Sequence, residues 1–207
     1  MKYPNFNEEK KLRKQGFECI AGLDEAGRGP LAGPVVAGAV IIQNFQSIYN
    51  DPIFKEIKDS KQLSAKQREY IYKNLIKNKN IKWGIGIVSE KMIDKINILE
   101  ATKLAIQKAI TNLKCDYLLI DGNFKIKTNI PQRSIVKGDQ KVMSIAMASI
   151  IAKVTRDRIM QKFHKKYPKY QFDKHKGYGT SLHIKMIKEF GACPIHRKTF
   201  RPITEIT

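Results

Sequence analysis

Negative charge is scarce: 19 Asp and Glu stand against 39 Lys and Arg in 207 residues, leaving a formal charge of +20 and a pI near 9.9. A chain so poor in acids suits a polyanionic partner, nucleic acid first, although an Ile-, Lys- and Asn-rich composition also fits an AT-rich genome and isolated lysines only solvate a surface. Cysteine is equally sparse. Cys19, Cys115 and Cys193 lie far apart with no CxxC pair, which excludes a disulfide framework or zinc cluster and fits a reducing cytoplasm. The four histidines, at 164, 175, 183 and 196, lack zinc-site spacing and are expected to face the surface or a phosphate. Long apolar runs are missing as well. The longest, Leu31 to Ile42, is too short and glycine-interrupted to span a bilayer, the opening "MKYPNFNEEKKLRKQ" has no apolar signal-peptide core, and no isolated basic amphipathic segment suggests a membrane surface. A soluble cytoplasmic protein is expected. With 42% hydrophobic and 28% charged residues and no repeat or low-complexity linker, residues 1–207 are expected to fold as one domain.

What is present alternates strand and helix. "ECIAGL" reads as a strand ending at Asp24, and "PVVAGAVII" as a second, entered through a Gly/Pro turn. "SAKQREYIYKNLIKN" opens with Ser64 and Gln67 at capping-box spacing and is followed by the strand "IKWGIGIVS". Apolar residues at three- and four-residue intervals predict one amphipathic helix over 90–113. "DYLLIDGN" is a short strand of the kind buried on both faces, stopping at Asp121, and "RSIVKGD" is a further strand candidate. A long helix rich in small residues comes next, then a last helix over about 182–190 stopped by Gly191. The pattern predicts an α/β domain with a mixed sheet and helices on both sides, carrying from about residue 155 a lysine-rich helical lobe.

In open α/β sheets ligands bind beyond the carboxyl ends of the strands. Asp24 and Asp121 sit at such ends, Asp139 succeeds "RSIVKG" in the same way, and Glu25 adjoins Asp24. Four carboxylates gathered there repel one another unless a cation neutralises them. Mg²⁺ takes carboxylate oxygens, and two such ions about 3.5–4 Å apart can activate a water and stabilise a leaving oxygen at a phosphodiester. Asp157 is a rival ligand. Lying 18 residues beyond Asp139, it should be about 27 Å away along a helix that starts soon after Asp139, so it is expected to pair with Lys153 or Arg158 or to face solvent.

Gly27, Gly29 and Ala32 satisfy a loose GxGxxG/A dinucleotide fingerprint, but they lead into a strand rather than the helix such a site requires, and no GxxxxGK[ST] phosphate loop occurs. No nucleotide cofactor is expected. A backbone that a ligand can approach closely remains, with Arg28 able to reach a phosphate. In "HKGYGT", His175 and Lys176 can contact phosphate, and Tyr178 can lay its ring on a sugar or base.

In order along the chain, "GLDEAGRGPLAGPVVAGAV", "DSKQLS", "LLIDGN", "VKGD", "SIAMASIIAKVTRDR", "HKGYGT" and "CPIHRKTF" resemble the motifs of bacterial ribonuclease HII, the type 2 ribonuclease H. The resemblance covers nearly the whole chain. It implies a ribonuclease H-like fold with a C-terminal helical segment, and a metal-dependent endonuclease acting on RNA in RNA–DNA duplexes, including single ribonucleotides embedded in DNA. The implied catalytic and metal-binding acids are Asp24, Glu25, Asp121 and Asp139, holding two ions of Mg²⁺ or Mn²⁺. Cleavage 5′ to a ribonucleotide would leave a 3′-hydroxyl and a 5′-phosphate and serve ribonucleotide removal in replication and repair. Gly27, Arg28 and Gly29 match the motif that reads the 2′-hydroxyl, Tyr178 the tyrosine that contacts the following nucleotide, and Ser60, Lys61 and Lys153 motifs bordering the substrate backbone. Departures fall at Gln62, where lysine is usual, and at Met147, where alanine is usual; the first puts one phosphate contact in doubt and the second changes helix packing. Arg28 in place of lysine, and no added N-terminal domain, argue against ribonuclease HIII. No clamp-binding box or coiled-coil heptad is seen, and a monomer is expected. The competing reading is a non-enzymatic nucleic-acid binder, for which the acids would be a liability.

Overall fold

The structure, a computed structural model, describes residues 3–55, 57 and 63–206. Strands β1 (Ile20–Ala26), β2 (Val35–Ile42) and β3 (Ile81–Val88) form an antiparallel meander, to which β4 (Tyr117–Asp121) and β5 (Gln132–Ile135) add parallel to β1, in the order β3-β2-β1-β4-β5. Helix α1 (Asn7–Lys14) precedes the sheet. Helices α2 (Phe45–Asn50), α3 (Pro52–Lys55) and α4 (Ala65–Leu75) link β2 to β3, α5 (Glu90–Ile110) links β3 to β4, and α6 (Met143–Lys166) comes after β5. Short α7 (Phe172–His175), α8 (Ser181–Phe190) and α9 (Ile203–Ile206) complete a C-terminal part that is helical where regular.

Every residue of β2 is buried because both faces are covered. Strand alternation sends Ala21, Leu23, Val35, Ala37, Ala39 and Ile41 to a core shared with α5, while Val40 and Ile42 pack with α4 and α6 on the other side. The capping box of Ser64 and Gln67 is formed as its spacing predicts. Met147 is fully buried in the α6 core. No helix among the described residues is long and apolar enough to cross a membrane.

Two local features depart from expectation. The helix over 90–113 is broken at Asn97, whose φ is 64° and whose Oδ1 accepts from the amides of Leu99 at 2.9 Å and Glu100 at 3.1 Å, so that it caps the second half. The charged N-terminal segment is itself helical in part: Glu9 of α1 is buried and accepts from Ser144 N at 2.9 Å, serving the start of α6, where Val142 has no capping side chain.

Helix α6 lies on the β1–β2 ladder at backbone distance. A Cβ on Gly38, the residue paired with Asp24 across the ladder, would stand 2.4 Å from Ala148 O. Gly38→Ala should therefore lift α6 and cost about 1–3 kcal/mol, read in a thermal melt as a fall of about 2–4 °C per kcal/mol; an unchanged melting temperature would contradict the close approach.

Candidate active site

Asp24 and Asp121 each stand one residue past the last β1–β4 pair, Leu23 with Ile120, while still paired on their other sides with Gly38 and Ile135; β1 runs on to Ala26, two residues beyond the expected end at Asp24. Alternation turns both toward the α6 face, with Gly22 and Leu119 two residues earlier on that face. Asp24 is buried, and its Oδ1 accepts from Glu25 N at 2.7 Å. Asp121 Oδ1 accepts from Gly138 N at 2.6 Å, which ties the end of β4 to the segment carrying the third acid. That segment differs from expectation. Asp139 is not at the end of β5 but in a single 3₁₀ turn, Gly138–Gln140, entered through Lys137 in the left-handed region at φ 56°. The turn returns its buried side chain to the other acids.

Asp24, Glu25, Asp121 and Asp139 line one cavity of about 230 Å³ with Gly27, Arg28, Gly29, Ser149, Lys153 and Tyr178. Nine of the eleven residues expected at the site are thus brought together; Ser60 and Lys61 lie outside the described residues, as does Gln62. Burial first, then the charges of Glu25, Asp121 and Asp139, hold the Asp24 carboxyl well above the usual carboxylate range. Arg28, half exposed at the mouth, reaches Glu25 Oε1 at 3.4 Å, and Lys153 Nζ donates to Asp157 Oδ1 at 2.8 Å. Asp157 pairs with Lys153 as expected, but it is nearer the cavity than helix rise alone suggested. Helix α6 crosses the site, Ser149 and Lys153 line it, and Asp157 is one turn further on.

No group of three or more His, Cys, Asp or Glu among the described residues has its donors gathered into a ready-made metal cage. The donor chemistry nevertheless fits a hard divalent ion. The converging acids are all-oxygen ligands, and the buried Asp24 charge, raised in proton affinity by three like neighbours, gains most from a cation in their midst.

The turn after β1 rests on residues that sequence reasoning missed. Arg156 donates to the carbonyls of Pro34 (3.0 Å), Ala32 (3.0 Å) and Lys176 (2.9 Å), and Arg197 to those of Gly27 (2.6 Å), Arg28 (2.9 Å) and Gly33 (2.8 Å). Both guanidiniums are buried. Burial lowers Arg156 to about 10 and Arg197 to about 9, so both remain charged at neutral pH. Gly27, at φ 101°, is necessary here, because a Cβ would stand 2.2 Å from Arg156 Nε. The available signal was Arg156 and Arg197 inside "VTRDR" and "CPIHRKTF", which without a fold read as surface charge.

Three histidines correct the surface expectation: His175, His183 and His196 are buried. Cys193 N donates to His196 Nδ1 at 2.8 Å, which puts the His196 proton on Nε2, facing His183 Nε2 at 3.0 Å; His183 Nδ1 then donates to Tyr178 O at 2.9 Å. His175 Nε2 donates to Tyr170 O at 2.7 Å, and its Nδ1 accepts from Gly177 N at 3.1 Å. The relay thus ends on the backbone of Tyr178, whose ring is exposed near Lys153 and Arg156. His164 is partly exposed beside Asp173, at 3.2 Å.

A mixed five-stranded sheet with acids at adjoining strand ends is the ribonuclease H type of fold. The ribonuclease H2 from Pyrococcus horikoshii shares it, with a TM-score of 0.71 and 29% identity over 90% of this chain and 96% of that one. The family profile of ribonuclease HII matches residues 21–203, and the chain belongs to that family, whose enzymes hydrolyse RNA in RNA–DNA hybrids. It is 52% identical to the ribonuclease HII of Chlamydia muridarum over 95% of this chain and 88% of that one, and 55% identical to that of Acetivibrio thermocellus over 93% and 73%. Membership of an enzyme family removes the reading as a purely non-enzymatic binder.

The charges of the site have two measurable effects on stability. In EDTA at neutral pH, Asp24→Asn should raise the melting temperature, because it removes a buried charge facing three others; a gain of about 1 kcal/mol appears as about 2–4 °C, and a lower melting temperature would contradict the repulsion. The histidines act in the opposite pH sense. Burial first pushes His183 down to about 3 and His196 to about 4 from an ordinary 6.5, so below 6.5 the unfolded chain binds more protons. Their stabilisation is complete above pH 6.5 and is lost as the pH falls toward 4 and 3. Urea unfolding of the Asp24→Asn variant, freed of the opposing Asp24 titration, should show stability declining from pH 6.5 to 4.5, and a flat profile would count against the relay.

Proposed function

We propose that this cavity hydrolyses the phosphodiester on the 5′ side of a ribonucleotide, in RNA–DNA hybrids and at single ribonucleotides embedded in duplex DNA. The observation that carries the reading is the convergence of four carboxylates, the Gly27–Gly29 turn and Tyr178 on one cavity of a strongly basic chain. The ribose 2′-hydroxyl adjoins only the phosphate on its own 3′ side, so breaking the 5′ bond needs an external water. Two divalent ions, Mg²⁺ or Mn²⁺, held by Asp24, Glu25, Asp121 and Asp139, would supply an activated water and charge neutralisation at the leaving oxygen. The water oxygen bonds to phosphorus as the P–O3′ bond breaks, leaving a 3′-hydroxyl upstream and a 5′-phosphate on the ribonucleotide.

The remaining residues bind and orient. Arg28 at the mouth meets a phosphate, and the turn around it reads the sugar. Tyr178 offers its exposed ring to the next nucleotide. Lys153, held by Asp157, borders the substrate backbone, and the same role is assigned to Ser60 and Lys61 from the sequence motif alone. A neighbouring cavity of about 360 Å³ between α4 and α6, where Arg68, Arg158 and Lys176 stand beside Glu69 and Asp157, gives polar groups that the duplex can meet, and residues from about 155 onward serve as the substrate lobe. The chain acts as a cytoplasmic monomer serving ribonucleotide removal during replication and repair.

A labelled DNA duplex with one ribonucleotide, incubated with Mg²⁺ or with EDTA beside an all-DNA duplex, tests the reading. A nick 5′ to the ribonucleotide is expected in Mg²⁺ alone, and Asp121→Asn should lose at least about two orders of magnitude in rate while still melting cooperatively. A fully active Asp121→Asn variant, or turnover in EDTA, would overturn the site assignment.

A further inference from the structure

The Gly27 and Arg28 carbonyls that Arg197 holds belong to the peptide units carrying the N–H groups of Arg28 and Gly29. Both units are trans, so each N–H points opposite to its own carbonyl. With the carbonyls fixed on a buried side chain, the two amides face the other side of the turn, where Gly27, Arg28 and Gly29 line the acid cavity. Neither amide has an acceptor among the described residues. A cation donating to the carbonyl also polarises the unit and strengthens its N–H as a donor. A lysine cannot reproduce this, because one ammonium does not span the carbonyls that two nitrogens of a planar fork hold.

We propose that Arg197 is a positioning residue that turns the amides of Arg28 and Gly29 into the cavity as a paired donor site for the ribose 2′-oxygen, and so sets the preference for ribonucleotide over deoxyribonucleotide. The inference rests on the ribonucleotide-directed reading above. Arg197 itself touches no substrate. Its charge is balanced by carbonyl oxygens and, at longer range, by Asp94 and Glu90 of α5.

The test compares Arg197→Lys with its parent in the cleavage-deficient Asp121→Asn background, measuring Kd for a duplex with one ribonucleotide and for the same sequence in DNA. The ribonucleotide preference should fall by about tenfold while affinity for the all-DNA duplex and the cooperative melt are retained. An unchanged preference, or an equal loss of affinity for both duplexes, would overturn the proposal, the second by showing a merely structural role. A parent with no ribonucleotide preference would instead sink the functional reading. If Arg197→Lys does not fold, amide NMR of the parent decides: Arg28 and Gly29 N–H shifts should respond more to the ribonucleotide duplex than to DNA, and equal responses would overturn the proposal.

Discussion

The contact on which the rest depends is the approach of α6 to the β1–β2 ladder over Gly38. At ordinary helix-to-sheet spacing Asp24 would be solvated and its charge screened. At backbone distance the helix buries it, and the same helix brings Ser149 and Lys153 to the cavity and Arg156 under the turn after β1. One steric allowance therefore fixes both the electrostatics of the acids and the seating of the loop beside them. The start of that helix is served in turn by a buried carboxylate from α1, so a segment remote from the cavity still bears on its roof.

Charge is distributed in two layers. On the cavity side four carboxylates oppose one another, and on the far side of the turn two guanidiniums are satisfied by backbone carbonyls. Neither layer is stabilising in the way a surface ion pair is. The acids repel one another in a buried setting, whereas the arginines are tolerated because main-chain oxygens satisfy their donors and stiffen the loop.

Much of this was legible in the sequence because strand ends are local signals. Asp24 and Asp121 end short apolar runs that can only be strands, and the capping box of Ser64 and Gln67 is a four-residue pattern. Asp139 was found for a partly wrong reason: its strand ends at Ile135, and a 3₁₀ turn entered through Lys137 with positive φ returns the acid to its neighbours. The Asn97 break was hidden because apolar spacing continues on both sides of it. Arg156, Arg197 and the three histidines were unreadable for another reason. Their partners are backbone atoms or side chains brought up by the fold, and such residues look in sequence like any exposed polar group.

The hydrogen bond from Arg197 to Gly27 joins residues 170 positions apart, and Asp94 receives the amides of Lys198 and Thr199 from 104 and 105 positions away. A ribosome adds about 5–20 residues per second, so the turn bearing Arg28 waits roughly ten seconds or more for the side chain that seats it. The strands and α5 can form meanwhile from nearer contacts, but closing so wide a loop must await the segment around Arg197. A nascent chain can therefore hold its acids together before the turn bearing Arg28 has the buried guanidinium that seats it.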